Sequence, residues 1–143
     1  IILMVNKKLI NSLSYLGLVP FYVILIFYFF NKNFYLIDIF FYYSLVIITF
    51  LSGCSWVRLI ETSKISLIIV TIFTPILNLV AEIFLNSYLK GVLYLIFYYL
   101  IFFIDKKYIT YSPDYIFMRR NLTYLVMLSQ IIMLIVIYTN NLG

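Results

Sequence analysis

The sequence contains no histidine and a single cysteine, Cys54. The absence of histidine removes the commonest protein ligand of haem and of transition metals. One cysteine excludes an internal disulfide and a metal site built from several thiolates. Without a histidine to activate it, Cys54 is interpreted as a small buried residue. The sequence also has no Walker loop, metal-binding pattern or catalytic triad, so it predicts neither an enzyme nor a cofactor.

Charged residues are scarce as well, at 10% of the chain, whereas hydrophobic residues make up 66%. A soluble domain needs about a quarter of its residues charged to cover its surface. Water is therefore not the main solvent of this chain. Its 143 residues allow one compact unit and no second domain.

Alanine, glycine, proline and arginine, all read from G/C-rich codons, are few, whereas Ile, Phe, Tyr, Asn and Lys are plentiful. This bias points to an A/T-rich genome, such as that of an organelle or a reduced bacterium. The expected location is therefore the mitochondrial inner membrane, with a bacterial inner membrane as the alternative.

Five stretches are long and apolar enough to cross a bilayer, which takes about 20 residues each. Lipid offers the backbone no hydrogen-bond partners, so these stretches must be helical. The predicted fold is an all-α bundle of about five transmembrane helices, forming one domain over residues 1–143. The segment from Asp105 to Arg120 is predicted as the only long loop. The predicted spans are 9–30, 34–57, 65–85, 88–104 and 121–139.

The basic residues fall unevenly on the two sides that these spans define. Such a bias predicts that the N-terminus faces the cytoplasm or the mitochondrial matrix. The net charge of +5 is thus a topology signal, and no nucleic-acid partner is expected. One side holds Lys7, Lys8, Arg58, Lys64, Lys106, Lys107, Arg119 and Arg120, and the other holds Lys32 and Lys90.

Polar residues inside the spans have two interpretations each. Asp38 lies early in the second span, where an interfacial carboxylate is favoured over an ion relay group. In the third span Asn78 and Glu82 are four residues apart and share a helical face below Pro75. They form either a polar pocket or packing contacts, and packing is favoured.

The densest polar cluster lies at residues 52–61. Gly53 and its serine neighbours permit close helix contact, and Arg58 and Glu61 are spaced for an ion pair. A helix end anchored at the interface is favoured, because aromatic rings and snorkelling cations both suit that depth. The alternative is a quinone head-group site lined by Ser55, Trp56 and Arg58.

Four basic residues near the last loop are candidates for binding an anionic lipid such as cardiolipin. The same residues satisfy the positive-inside rule without any further role. They are Lys106, Lys107, Arg119 and Arg120.

The motif Leu-Gly-Leu-Val-Pro-Phe at 16–21 lies in the first span, and Ile-Thr-Phe-Leu-Ser-Gly at 48–53, with Trp56, lies in the second. Pro75 and the segment 112–115 follow, and then Arg119. With these motifs the chain resembles the transmembrane protein 69-like family, a five-span family of unknown function found in proteobacteria and mitochondria. The departures from the family pattern are Ser52 and Val57, where glycines are usual. The resemblance implies topology and compartment but no chemistry.

Three functions remain open from the sequence. The first is a non-catalytic accessory subunit of a mitochondrial respiratory-chain complex, with other membrane subunits and lipids as partners. The second is a quinone-site or electron-transfer anchor subunit similar to those of succinate dehydrogenase. The third is a small transporter or channel, which requires Asp38, Asn78 and Glu82 to converge.

Overall fold

The computed structural model describes residues 2–109 and 113–140, with side chains from residue 8 onward. These residues form a helical bundle without strands, and a short 3₁₀ helix, Ile60–Thr62, follows the third α-helix. Five helical stretches are long and apolar enough to span a membrane, which confirms the predicted all-α membrane bundle. The α-helices are α1 Ile2–Leu16, α2 Val19–Asn31, α3 Phe34–Leu59, α4 Ile65–Phe84, α5 Ser87–Tyr108 and α6 Pro113–Thr139.

The first span, from Lys8 to Asn31, consists of two helices, because α1 ends just before Gly17 and α2 begins at Val19. Pro20 explains the break: it has no N–H to donate, and its ring clashes with the carbonyl four residues earlier. The Tyr43 hydroxyl donates a 2.6 Å hydrogen bond to the Gly17 carbonyl at this break. A side chain of α3 thus supplies a hydrogen bond to a backbone carbonyl at the point where the helix is interrupted.

The turns between spans are closed by short polar residues. Asn33 precedes α3 and its side chain accepts a hydrogen bond from the Tyr35 N–H at 3.1 Å. Asn86 caps α5 in the same way through the Leu89 N–H at 3.0 Å. Such caps satisfy the first donors of each helix. They keep the connections at these two points to a few residues.

The long loop predicted between Asp105 and Arg120 is wrong. Helix α5 continues to Tyr108 and α6 already begins at Pro113, so most of this segment is helical. Proline at the first helical position, followed by an acidic residue in the first turn, is a favourable helix start. The prediction ended the spans at their first charged residues. Two of those residues, Asp105 and Arg119, instead pair inside the bundle.

Helix α3 lies at the centre, packed against α2, α4 and α5, while α5 packs along α6. Phe21 and Phe40 meet edge to face at the core, with ring centroids 5.4 Å apart. At Gly91 of α5 a Cβ atom would collide with the Leu134 side chain of α6, so close approach of these helices depends on glycine there. Large apolar side chains on the outer faces of the helices remain exposed, as expected of a lipid-facing surface.

Candidate functional site

A buried ion pair joins three helices at the end of the bundle where α5 finishes. The Arg119 guanidinium donates from Nη2 to Asp105 Oδ2 at 2.9 Å, and both side chains are over nine-tenths buried. Ser55 Oγ lies 2.6 Å from Asp105 Oδ1 and 3.0 Å from the Leu51 carbonyl. A hydroxyl has one proton, and the shorter contact, to the charged oxygen, is the stronger. Both carboxylate oxygens of Asp105 are therefore occupied, which ties α5 to α3 and α6.

A second buried ion pair lies at the opposite end of α5. Glu82 of α4 accepts from Lys90 Nζ at 3.0 Å through Oε1 and from the Tyr94 hydroxyl at 2.8 Å through Oε2. The Phe41 ring of α3 stacks on the Tyr94 ring. Lys90 Nζ lies 5.2 Å from the centroid of the Phe41 ring. The cation is thus held by a carboxylate and an aromatic face together. This cluster links α4 and α5, and its ring contacts extend to α3.

A third polar contact lies between the two ion pairs. The Tyr98 hydroxyl donates to the Ser44 carbonyl at 3.0 Å, and Gln130 Nε2 donates to Ser44 Oγ at 2.6 Å. All three residues are fully or almost fully buried. Among the described side chains, Gln130 Oε1 and Asn78 Oδ1 are the buried polar atoms without a hydrogen-bond partner. The buried face of α5 is therefore polar at both ends and in the middle.

A cavity of about 200 Å³ lies beside Asp105 and Arg119, and is walled mainly by apolar residues of α1, α3 and α6. An open groove of about 760 Å³ adjoins it and runs past Gly53 to Arg58. Phe50, Cys54 and Tyr115 line both spaces. We name the two together the α1/α3/α6 slot. Its inner wall meets the buried ion pair, and its outer end carries an exposed arginine.

The residues predicted as a quinone site lie within one turn of α3 but have different surroundings. Ser55 is bonded to Asp105, and Arg58 lines the outer part of the slot. Trp56 lines neither the cavity nor the groove. Cys54 is exposed, so the prediction that it is buried is wrong: it lies at the junction of groove and cavity, where the helices leave space.

The predicted lipid-binding residues occupy different environments. Lys106 and Lys107 line a shallow depression among aromatic residues of α5 and α6, and Arg120 is exposed, 5.2 Å from the Phe117 ring centroid. Arg119, predicted to bind lipid with them, is instead buried against Asp105. The adjacent arginines Arg119 and Arg120 thus have opposite environments, because successive helical residues point about 100° apart.

The polar residues of the second and third spans do not converge. Asp38 is exposed on α3, whereas Glu82 is bonded to α5. Asn78 is buried, and its Nδ2 donates to the Thr74 carbonyl of its own helix at 2.8 Å. Pro75 lies inside α4, which continues through it. Glu61 is exposed in the 3₁₀ helix, and its predicted pairing with Arg58 stays a prediction.

Sequence reasoning missed the most buried charges of the bundle. The predicted spans place Asp105 in a loop and use Lys90 only as a topology signal. A usable signal was present, because Lys90, Tyr94, Tyr98 and Asp105 recur at spacings of four, four and seven residues. That spacing places them on one helical face. Ionisable residues within a span generally turn inward and pair.

Comparisons with protein-family models, with curated proteins and with solved structures find no match for this chain. The resemblance to the transmembrane protein 69-like family therefore stays a prediction, carried by the motifs alone.

Proposed function

We propose that this chain is a non-catalytic accessory subunit of a larger membrane assembly. The observation that carries the proposal is the use made of the buried carboxylates. All four oxygens of Glu82 and Asp105 accept hydrogen bonds from side chains within the bundle, and each carboxylate joins neighbouring helices. Charged groups bonded in this way hold helices in register, which is the property a scaffold subunit needs.

The proposed location is the mitochondrial inner membrane, with the N-terminus on the matrix side and a respiratory-chain complex as the assembly. Two features support this part of the proposal. The excess of amino acids read from A/T-rich codons is typical of an organelle or a reduced bacterium, and basic residues gather on one side of the five spans. A bacterial inner membrane with the N-terminus in the cytoplasm agrees with the same charge pattern.

The direct test is to solubilise the native membrane in a gentle detergent, separate complexes on a native gel and identify the band that holds this chain by mass spectrometry. Co-migration with a respiratory complex through a second dimension is the expected result. Migration as a free small species would contradict the proposal.

A variant test separates scaffolding from activity. Asp105→Asn removes the charge that Arg119 needs, so we expect less assembled complex but unchanged turnover for each complex that remains. Asp38→Asn is the matched control, because Asp38 is exposed, and it should leave the yield unchanged. A full yield of complex with reduced turnover would instead assign Asp105 to the activity itself.

One observation favours a second candidate, a small transporter. The polar residues of α5 extend along its buried face from Lys90 to Asp105, and such faces line ion paths in some membrane proteins. The prediction from this candidate is that the purified chain in sealed vesicles conducts protons or small ions, and that Asp105→Asn abolishes the flux. If vesicles that contain the protein are no more permeable to ions than protein-free vesicles, the transporter candidate is excluded.

A further inference from the structure

The depression on the outer surface of α5 and α6 shares no residue with the α1/α3/α6 slot. Its volume is about 390 Å³. The buried Phe102 ring of α5 meets the Tyr124 ring of α6 there, with centroids 6.4 Å apart, so the two helices close its base together. We name it the α5/α6 depression, and it is lined by Tyr99, Phe102, Phe103, Lys106, Lys107 and Tyr124. Its exposed aromatic walls belong to membrane-spanning helices and therefore face lipid.

The α5/α6 depression is cationic at one end and aromatic along the rest of its length. Lys106 and Lys107 lie in the last turn of α5, and Tyr99 lies eight positions before Lys107. At 1.5 Å per residue this is about 12 Å, which is most of the half-thickness of a bilayer's hydrocarbon core, about 15 Å. A lipid whose head group lies at the lysines therefore lays an acyl chain along the aromatic wall within one leaflet.

The charges of the two lysines are not cancelled by a neighbouring carboxylate. Lys106 and Lys107 are exposed, and neither forms an ion pair with any residue that the structure describes. The adjacent Asp105 points into the bundle, where Arg119 balances its charge. Lys107 Nζ lies 5.4 Å from the Phe103 ring centroid, a contact that orients the ammonium group and leaves its charge in place. The cationic end is therefore complementary to an anion.

We propose that the α5/α6 depression binds one anionic phospholipid, with its phosphate beside Lys106 and Lys107 and an acyl chain along the aromatic wall. Each basic residue near a membrane surface favours an anionic over a zwitterionic lipid by about fivefold, so the two lysines together favour it by about 25-fold. Arg119, which the sequence groups with these lysines, has no part in the site because it is committed to Asp105. The proposal does not depend on the accessory role of the chain.

The test uses tryptophan fluorescence of the full chain reconstituted in phosphatidylcholine vesicles. Trp56, the chain's one tryptophan, is removed as Trp56→Phe, and Tyr99→Trp exchanges one exposed aromatic residue for another and places a reporter in the depression. Quenching by phosphatidylglycerol with brominated acyl chains is compared with quenching by equally brominated phosphatidylcholine. Phe73→Trp is the matched reporter: Phe73 is exposed, eight residues after the start of α4, and Tyr99 lies nine residues before the end of α5, so their depths are similar.

We expect the Tyr99→Trp reporter to reach half-quenching at about 25-fold less anionic than zwitterionic brominated lipid, and the Phe73→Trp reporter to show no preference. Lys106→Gln and Lys107→Gln should each lower the preference about fivefold, and the double variant should abolish it. Lys8→Gln, the same change at an exposed lysine of α1 on the same predicted side of the membrane, should have no effect. Circular dichroism of each variant checks that the helices are retained.

Three results would overturn the proposal. Equal half-quenching of the Tyr99→Trp reporter by the two lipids means that ordinary boundary lipid fills the depression. A loss of preference with Lys8→Gln as large as that with Lys106→Gln means that the general surface charge attracts the lipid. A Tyr99→Trp reporter that neither lipid quenches means that a second copy of the chain covers the depression.

Discussion

Asp105 and Arg119 form an ion pair inside the bundle. Each is charged, each side chain is over nine-tenths buried, and each neutralises the other at 2.9 Å. Removing one member of such a pair leaves an uncompensated buried charge, whereas replacing both with apolar residues is often neutral. Ser55 adds a third group to the pair through Asp105 Oδ1.

Asp105→Asn should lower the free energy of unfolding by about 3–5 kcal/mol, because Arg119 stays buried without its counter-charge. The double change Asp105→Leu with Arg119→Met should recover most of that loss. Denaturant unfolding in detergent micelles, followed by circular dichroism, measures both.

Asp38→Asn is the control for this prediction, because Asp38 is exposed on α3, and it should change stability by less than about 0.5 kcal/mol. If the double variant is as unstable as the sum of the single variants, Asp105 and Arg119 act independently and the ion pair is not the source of the effect.

Among the elements, the divided first span stands apart from the other four. Proline interrupts the hydrogen-bond pattern between α1 and α2, and Tyr43 of α3 supplies a donor to Gly17 there. Helix α4 also contains a proline, Pro75, but continues through it from Ile65 to Phe84. What distinguishes the two sites is the neighbouring sequence, since glycine precedes only the first proline closely and weakens a helix by about 1 kcal/mol.

The element-scale prediction is that Pro20→Ala joins α1 and α2 into one helix. The new N–H at position 20 can donate to the Leu16 carbonyl, so amide exchange across residues 16–21 should slow by at least about tenfold. Hydrogen exchange read by mass spectrometry measures this. Tyr43→Phe, which removes only the donor to Gly17, should instead destabilise the bundle by about 1 kcal/mol.

Pro75→Ala is the control for the junction, since it restores a helical donor in a helix that is already continuous. It should leave exchange at residues 16–21 unchanged. Unaltered exchange in Pro20→Ala would mean that packing around Gly17, and not the proline, divides the first span.

At the scale of the whole bundle, the residues that the structure describes form five spans, and an odd number of spans puts the first and the last helix end on opposite sides. The connections near Lys32 and Leu85 then share one side, and the connection near Lys64 lies on the other. The basic residues at the second side include Arg58 and Lys64, which the positive-inside rule assigns to the cytoplasm or matrix.

This orientation predicts a labelling pattern in native membranes. In a Cys54→Ser background, Lys32→Cys and Leu85→Cys should react with a membrane-impermeant maleimide added from outside the matrix or cytoplasm. Lys64→Cys should react only after the membrane is opened. Labelling of Lys32→Cys and Lys64→Cys from the same side would contradict the odd number of spans between the ends.

The amino-acid sequence by itself determined the solvent, the helical class and the five spans of this protein. The hydrocarbon core of a bilayer admits only long apolar stretches whose backbone groups hydrogen-bond to each other. Such stretches can be recognised from the amino-acid sequence. The sequence could not determine which residue pairs with Asp105 inside the bundle, because a buried charge needs its partner on a facing helix. That partner is fixed by the rotation and approach of α3, α5 and α6. The tertiary structure alone also decided that Gly53 borders open space, whereas the Leu134 side chain of α6 packs against Gly91. The difference depends on which helix faces each glycine.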